Sequence, residues 1–208
     1  MTQSLPRWMS AYVQPQRAPQ KAPPPHGALK VERYSIPLEL RYHRGWACWR
    51  YEFENGRWSK PPYNPDTGDK AEPSNSDTWL DFDTCYAAYQ SAGVPRQGGR
   101  PYDGVSFALD IRWGIVGVDL DHVSEHRMPA DAIVRALQSY SEYSPSGDGY
   151  RIFLRGQLPE GRRRRDWVEM YNQRRFLTVT GQRLPDTPDH LTTSPRLYVT
   201  WDSYLRRG

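Results

Sequence analysis

Two carboxylates, Asp119 and Asp121, close the run Ile115-Val116-Gly117-Val118-Asp119-Leu120-Asp121. Apolar and small residues lead into them, a pattern that reads as a strand. Strand side chains alternate between faces, so Ile115, Gly117, Asp119 and Asp121 share one face, while Val116, Val118 and Leu120 point to a core. The two acids then stand side by side, ~7 Å apart along the strand, and Gly117 leaves open space beside them. Like charges this close repel unless a cation sits between them. Magnesium or manganese suits oxygen ligands of this kind. A solvated strand end carrying two acids is the plain alternative for an isolated Asp-x-Asp.

Two further segments carry chemistry. In Ser144-Pro145-Ser146-Gly147-Asp148-Gly149-Tyr150-Arg151 a Ser/Gly turn feeds a strand. Glycines let the backbone approach an anion, and successive N–H groups form an anion nest. A plain β-turn is the alternative. Arg151, Phe153 and Arg155 share a strand face. Arg offers planar, charge-assisted hydrogen bonds, so Ser146, Gly147, Gly149 and Arg151 read as candidates for holding a triphosphate. In Trp167 to Tyr171, Glu169 is a lone carboxylate among apolar residues. Once buried it needs a partner, either Arg174 or Arg175 or a metal ion. After it, Thr178 and Thr180 share a face and could meet a sugar or phosphate.

The elements that must position these residues follow from patterning. Residues 1–37 hold a Pro-, Gln- and Ala-rich stretch, Gln14 to Gly27, which cannot bury enough apolar surface to order itself. They read as a mobile leader, with a short helix at Leu38 to Arg41 and one folded domain over residues 38–208. Trp46 to Tyr51 reads as a strand. Glu54-Asn55-Gly56-Arg57 reads as a hairpin turn, Trp58 to Tyr63 as an extended segment, and Pro65 to Gly68 as another turn. Ser76 or Asp77 is placed to cap a helix running to about Ser91, with Gly93 after its end and Trp79, Phe82, Tyr86 and Tyr89 on its buried face. Pro129 opens a second helix with Ile133, Leu137 and Tyr140 inward. Val105 to Leu109, Tyr150 to Leu154, Trp167 to Tyr171, Phe176 to Val179 and Leu197 to Thr200 read as strands. Strands outnumber helices in mixed order, which predicts an α+β fold with a mostly antiparallel sheet.

Charge narrows the partner. Net charge is +4, which favours a polyanion. Arg162-Arg163-Arg164-Arg165 is a concentrated positive run between two strands. It reads either as a solvated loop or as a contact with template or primer phosphates, whose binding would depend on salt and not on sequence. Lys60 reads as surface charge or as a contact to nucleotide or template. Most of the 8 Trp and 14 Tyr read as core. His122 and His126 lack a third soft ligand for zinc, so His122 reads as tuning the acids or facing solvent. Cys48 and Cys85 form no Cys-x-x-Cys pair, which argues against a zinc ribbon or disulfide framework. No apolar run reaches transmembrane length and the N-terminus lacks an apolar signal segment, so a cytoplasmic protein with no membrane partner is expected. The absence of an HxH pair argues against a rolling-circle nickase.

The order VGVDLD, SPSGDGYRIFLRG, VEMYNQRRFLTVTG resembles the three catalytic motifs of the archaeo-eukaryotic primase superfamily. More closely, it resembles the bifunctional primase–polymerase domains of phages and plasmids. WACWRYEFENGRWSKPPYNPDTG and DTWLDFDTCYAAY are similar to the lead-in of those domains. The resemblance covers about residues 45 to 183. It implies an RRM-like sheet with an added N-terminal α/β unit. Asp119, Asp121 and Glu169 would be metal ligands for two divalent ions, Mg2+ or Mn2+. Ser146, Gly147, Gly149 and Arg151 would lie at the triphosphate, where the family often has His in place of Arg151. It also implies a longer parent protein, with a helicase domain or other replication proteins as partners.

The chemistry coheres with that. Nucleotidyl transfer needs a 3′-hydroxyl made nucleophilic and a pyrophosphate made a leaving group, and two divalent ions do both. The leading expectation is primer synthesis and DNA polymerisation from dNTP or NTP on single-stranded DNA. The alternatives are a non-catalytic nucleotide- and DNA-binding relative and a metal-dependent nuclease.

Overall fold

The computed structural model describes residues 27–91 and 102–206. Leader residues 1–26 and the expected helix-end Gly93 lie outside the described residues. Residues 27–37, expected within the leader, are packed. Val31 and Ile36 are buried, and the Glu32 N–H donates to the Thr180 carbonyl at 2.7 Å. The core thus begins before the boundary drawn at residue 38, because two apolar side chains follow the Pro-rich stretch.

The short helix α1 forms at Leu38–Arg41 as expected. Strand β1 (Trp46–Trp49) and the hairpin β2 (Glu52–Glu54) and β3 (Arg57–Ser59) follow, then β4 (Pro62–Tyr63). Asn55 and Gly56 take φ of 52° and 78°, the positive pair that a two-residue hairpin turn requires. The helix expected from Ser76 or Asp77 is broken. Asn75 caps only a single 3-10 turn, Ser76–Thr78. Asp81 then caps α2 (Phe82–Gln90) by accepting the Thr84 N–H. Between them, Leu80 bridges to Trp46 of β1, so the chain leaves the helix there to pair with that strand.

Strands β5 (Gly104–Leu109) and β6 (Ile115–Asp121) come next. Helix α3 runs Arg127–Leu137, starting two residues before Pro129. A proline in a first turn lacks only an N–H that would have no partner there. Gln138, at φ 48°, ends α3. Tyr140, expected on that helix, belongs instead to β7 (Tyr140–Tyr143). Strands β8 (Gly149–Arg155), β9 (Arg164–Arg165), β10 (Val168–Tyr171) and β11 (Arg175–Val179) complete the sheets. The strand expected at Leu197 to Thr200 is a helix, α4 (Leu197–Trp201), leading into a π-helical turn at Asp202–Arg206. Its Val, Tyr and Thr content suggested a strand, but Leu197, Thr200, Trp201 and Leu205 are buried at helical spacing.

The fold is α+β, and every pairing between its strands is antiparallel. The first sheet has the order β11-β5-β1-β4, the second β7-β8-β6-β10-β9, and β2-β3 form a separate two-stranded sheet. The last strand, β11, returns to pair with β5, so the N-terminal sheet is finished by the C-terminal part of the chain. Val116, Val118 and Leu120 of β6 pack in one core with Ile133 and Leu137 of α3 and Trp201 of α4. The opposite face of the same strand puts Ile115 into a second core with Phe107, Leu109 and Leu177 of the first sheet.

Gly117 corrects one expectation. It does not leave open space, because a Cβ there would lie 2.4 Å from Leu177 Cδ1 and 2.9 Å from Leu109 Cδ1. The glycine lets the two sheets close directly below the acids. Gly117→Ala should therefore lower stability by about 1–3 kcal/mol, the usual cost of overpacking, as read by denaturant unfolding. An unchanged midpoint would show that the leucines yield freely.

Candidate active site

Strand register places five charged residues in one row across the second sheet. Glu142 of β7 faces Arg151 of β8, which faces Asp119 of β6, which faces Glu169 of β10, which faces Arg164 of β9. Directly opposed residues in antiparallel strands share a face. The row runs minus, plus, minus, minus, plus, with two like charges adjacent at its centre. Asp119, Glu169, Arg151 and Glu142 are buried, and Asp121 at the strand end is half-buried.

The guanidiniums offset the central repulsion. Arg151 Nη1 donates to Asp119 Oδ1, both side chains being buried. Arg164 and Arg175 approach the two oxygens of Glu169 at 3.1 Å and 2.9 Å. Arg175 is one of the partners expected for Glu169, and Arg164 of the arginine run is the second. Burial, with Asp121 and Glu169 beside it, pushes the Asp119 carboxyl up to about 7 against the pull of Arg151 and Lys60. Burial and the nearby Arg151 lower the pKa of Lys60.

Asp119, Asp121, Glu169, Arg151, Lys60 and Thr178 line one cleft of about 630 Å3, together with Phe176 and Leu177 of β11 and the Ser59–Pro62 link. Arg57, Arg164, Arg174 and Arg175 also line it. Cations thus outnumber carboxylates, which suits a polyanionic ligand. Three buried polar atoms in this cleft lack a hydrogen-bond partner: Arg151 Nε, Arg175 Nε and Thr178 Oγ1. Buried polar groups are nearly always paired, and four further atoms of this kind, Arg33 Nε, Tyr51 OH, Trp58 Nε1 and Asn172 Oδ1, lie outside the cleft.

Other expected site residues are placed elsewhere. The Ser146–Gly149 turn lies at the end of β8, where Gly149 faces Asp121, and it does not line the cleft. Gly147 has φ 78°, yet its N–H already donates to the Ser144 carbonyl at 2.9 Å. The Asp148 carboxylate accepts the Ser124 N–H at 2.8 Å, so the turn is partly filled by its own chain. Thr180 Oγ1 donates to the Tyr143 carbonyl at 2.7 Å, a bond that fixes the end of β11 and takes Thr180 out of the cleft. His122 and His126 line a separate cavity beside Asp121.

Glu142 does not line the cleft, but it completes the charged row opposite Arg151, and sequence reasoning missed it. Assigning Tyr140 to a helix concealed the alternation Tyr140-Ser141-Glu142-Tyr143. Glu142 accepts from Tyr140 OH at 2.6 Å, Thr180 N–H at 2.9 Å and Gly181 N–H at 2.7 Å. Burial raises its carboxyl from 4.5 to about 7, opposed by those three donors and Arg151. A raised carboxyl contributes stability in full below its unfolded value and loses it as pH rises through the folded one. Its contribution should fade between pH ~4.5 and ~7, by up to about 3 kcal/mol. Glu142→Gln should remove that share of the decline in melting temperature from pH 4.5 to 8 in chelator. An undiminished slope would place the titration on another group.

Arg164 and Arg165 of the arginine run form the edge strand β9, and Arg162 and Arg163 lead into it. Arg163 Nη1 donates to the Pro159 carbonyl at 2.7 Å, and the Arg162 carbonyl accepts from Trp201 Nε1 at 3.1 Å. Arg162 and Arg164 are exposed. If both reach nucleic acid, replacing each with Ala should lower the salt slope of single-strand binding by about 0.7 per lost contact. Only Arg164→Ala should also alter catalysis, through Glu169. An equal effect of the two on turnover would contradict the pairing seen here.

Among the described residues, no three His, Cys, Asp or Glu side chains come together closely enough to hold a metal as they stand. Asp119, Asp121 and Glu169 still fit a divalent cation by donor type, with hard carboxylate oxygens on adjoining positions of one cleft. Arg151, Arg164 and Arg175 occupy lone pairs that such an ion would use.

Over 163 residues the chain is 32% identical to the DNA primase-polymerase of Nitratiruptor phage NrS-1, covering 73% of this chain. The match supports a phage-type primase–polymerase domain. No family model matches the chain. The chain spans about one fifth (21%) of that relative's length. The primase–polymerase resemblance drawn from the three motifs and the mixed, mostly antiparallel architecture agree with it. Among the described residues no helix is long and apolar enough to cross a membrane.

Proposed function

We propose that this primase–polymerase domain joins nucleoside triphosphates, dNTP or NTP, on a single-stranded DNA template during phage replication. The supporting observation is the cleft itself: three carboxylates, Asp119, Asp121 and Glu169, lined together with five arginines and Lys60. In the reaction a 3′-oxygen forms a bond to the α-phosphorus, the bond to the pyrophosphate oxygen breaks, and the hydroxyl proton leaves. Arg151, Lys60 and Arg175 bind the β and γ phosphates, and Thr178 donates to the sugar or phosphate. Mg2+ or Mn2+ held by Asp119, Asp121 and Glu169 would activate the hydroxyl and neutralise the leaving pyrophosphate. Exposed Arg162 and Arg164 hold the template backbone. A helicase region or separate replication proteins would supply the single strand.

One observation favours a second reading, a binding-only relative: Asp119 and Glu169 are already ion-paired with arginine. Incubation with circular single-stranded DNA, labelled nucleotides and Mn2+ separates the readings. New oligonucleotides support synthesis. Shortened DNA indicates a nuclease, and unchanged DNA with bound nucleotide indicates binding alone.

A further inference from the structure

We propose that the cavity on the other side of Asp121 is a nucleobase subsite for the nucleotide whose 3′-hydroxyl attacks; this rests on the nucleotidyl-transfer reading above. The cavity measures about 380 Å3, within the ~300–1,000 Å3 usual for small-molecule sites. Asp121 and Arg164 line both it and the larger cleft, so they form a shared wall. On the far side His126 stacks on Trp167, with ring centroids 4.6 Å apart and planes 13° apart. Tyr204 meets Trp167 edge-on at 6.0 Å, and the Trp167 carbonyl accepts the Asp121 N–H at 2.9 Å. The aromatic pair is thereby fixed to the strand end that carries the acid. His126 makes no capping bond with its side chain at the start of α3, so capping does not account for its position.

Charge separates the two spaces. Beside the aromatic pair stand Asp121, Asp166 and Arg164, and Asp166 is paired with Arg165 at 3.7 Å, so this lining is close to neutral and suits an uncharged base. The larger cleft carries an excess of cations, which suits phosphates. A base stacked on a rigid aromatic surface gains affinity regardless of its identity. A nucleoside there would present its sugar to the Asp121 wall, facing the phosphates in the adjoining cleft. Starting a chain from free nucleotides requires two nucleotides at once, and these two joined spaces are where the geometry puts them.

The test uses His126→Ala and Trp167→Leu, the latter keeping an apolar contact for Tyr204, with melting temperature as a check on folding. Dinucleotide formation on single-stranded DNA is measured with the first and second nucleotides varied separately. Deoxyadenosine binding is followed by NMR, a readout that needs no turnover. The KM for the first nucleotide should rise roughly five- to tenfold, as expected for loss of a base–aromatic stack, the KM for the incoming triphosphate should hold, and deoxyadenosine binding should weaken in step. Unchanged first-nucleotide KM and nucleoside binding would overturn the proposal. A loss confined to single-stranded DNA affinity would assign the cavity to a template base and overturn it too. Wild-type protein that makes no product would fail the nucleotidyl-transfer reading alone. Deoxyadenosine binding lost in both variants would then still support a base site, and no binding by wild type would reject it.

Discussion

Asp119→Ala is expected to abolish nucleotide incorporation and to lower the melting temperature. From the sequence, two acids on one strand suggest that deleting one relieves repulsion. The structure reverses that sign. Arg151 is buried and its Nη1 is held by Asp119, so the deletion orphans a buried guanidinium. Removing one partner of a buried ion pair typically costs about 3–5 kcal/mol. Glu142, on the adjoining strand opposite Arg151, compensates in part and places the expected loss near the low end. Asp119→Asn keeps an oxygen for Arg151 and should lose less stability while losing as much activity. Incorporation should fall at least a thousandfold in both, or about 4 kcal/mol at ~1.4 kcal/mol per decade. Single-turnover kinetics and urea unfolding of the two variants check this. Retained incorporation by Asp119→Asn would remove Asp119 from the chemistry.

Arg151→Ala should be nearly as damaging by a different route. It leaves Asp119 facing Glu169 without the guanidinium opposite, so stability falls, and the nucleotide KM rises by about 10–100-fold as a charge-assisted hydrogen bond to phosphate is lost. A divalent ion can take over the missing positive charge. Mn2+ should therefore raise the melting temperature of Arg151→Ala by more than that of wild type, and EDTA should remove the difference. An equal shift in both proteins would mean that Arg151 and the ion do not share a seat. Arg151→His should recover part of the activity and add a fall-off as pH rises past the imidazole pKa, whereas Arg stays charged throughout.

The sequence by itself determined the strand Ile115–Asp121, the alternation that sets Asp119 and Asp121 on one face, the Asn55–Gly56 hairpin and the α+β class. These rest on local rules: side-chain period and positive φ in a tight turn. It also put Glu169 in need of a partner, Arg174, Arg175 or a metal ion, because a buried lone acid is costly unpaired. Only the tertiary structure decided which residues complete the site. Register across five strands aligned Glu142, Arg151, Asp119, Glu169 and Arg164, and no residue pattern within a single strand encodes its register against another. The return of β11 to the first sheet placed Thr178 in the cleft, and the Thr180 bond to Tyr143 held Thr180 out of it. Leu197 to Trp201 became a helix because packing on α3 rewards a stripe at helical spacing over the strand propensity of Val and Thr. Gly117, which suggested free space, proved to be where two sheets touch. A missing side chain in the sequence does not say which neighbour fills its place; the fold does.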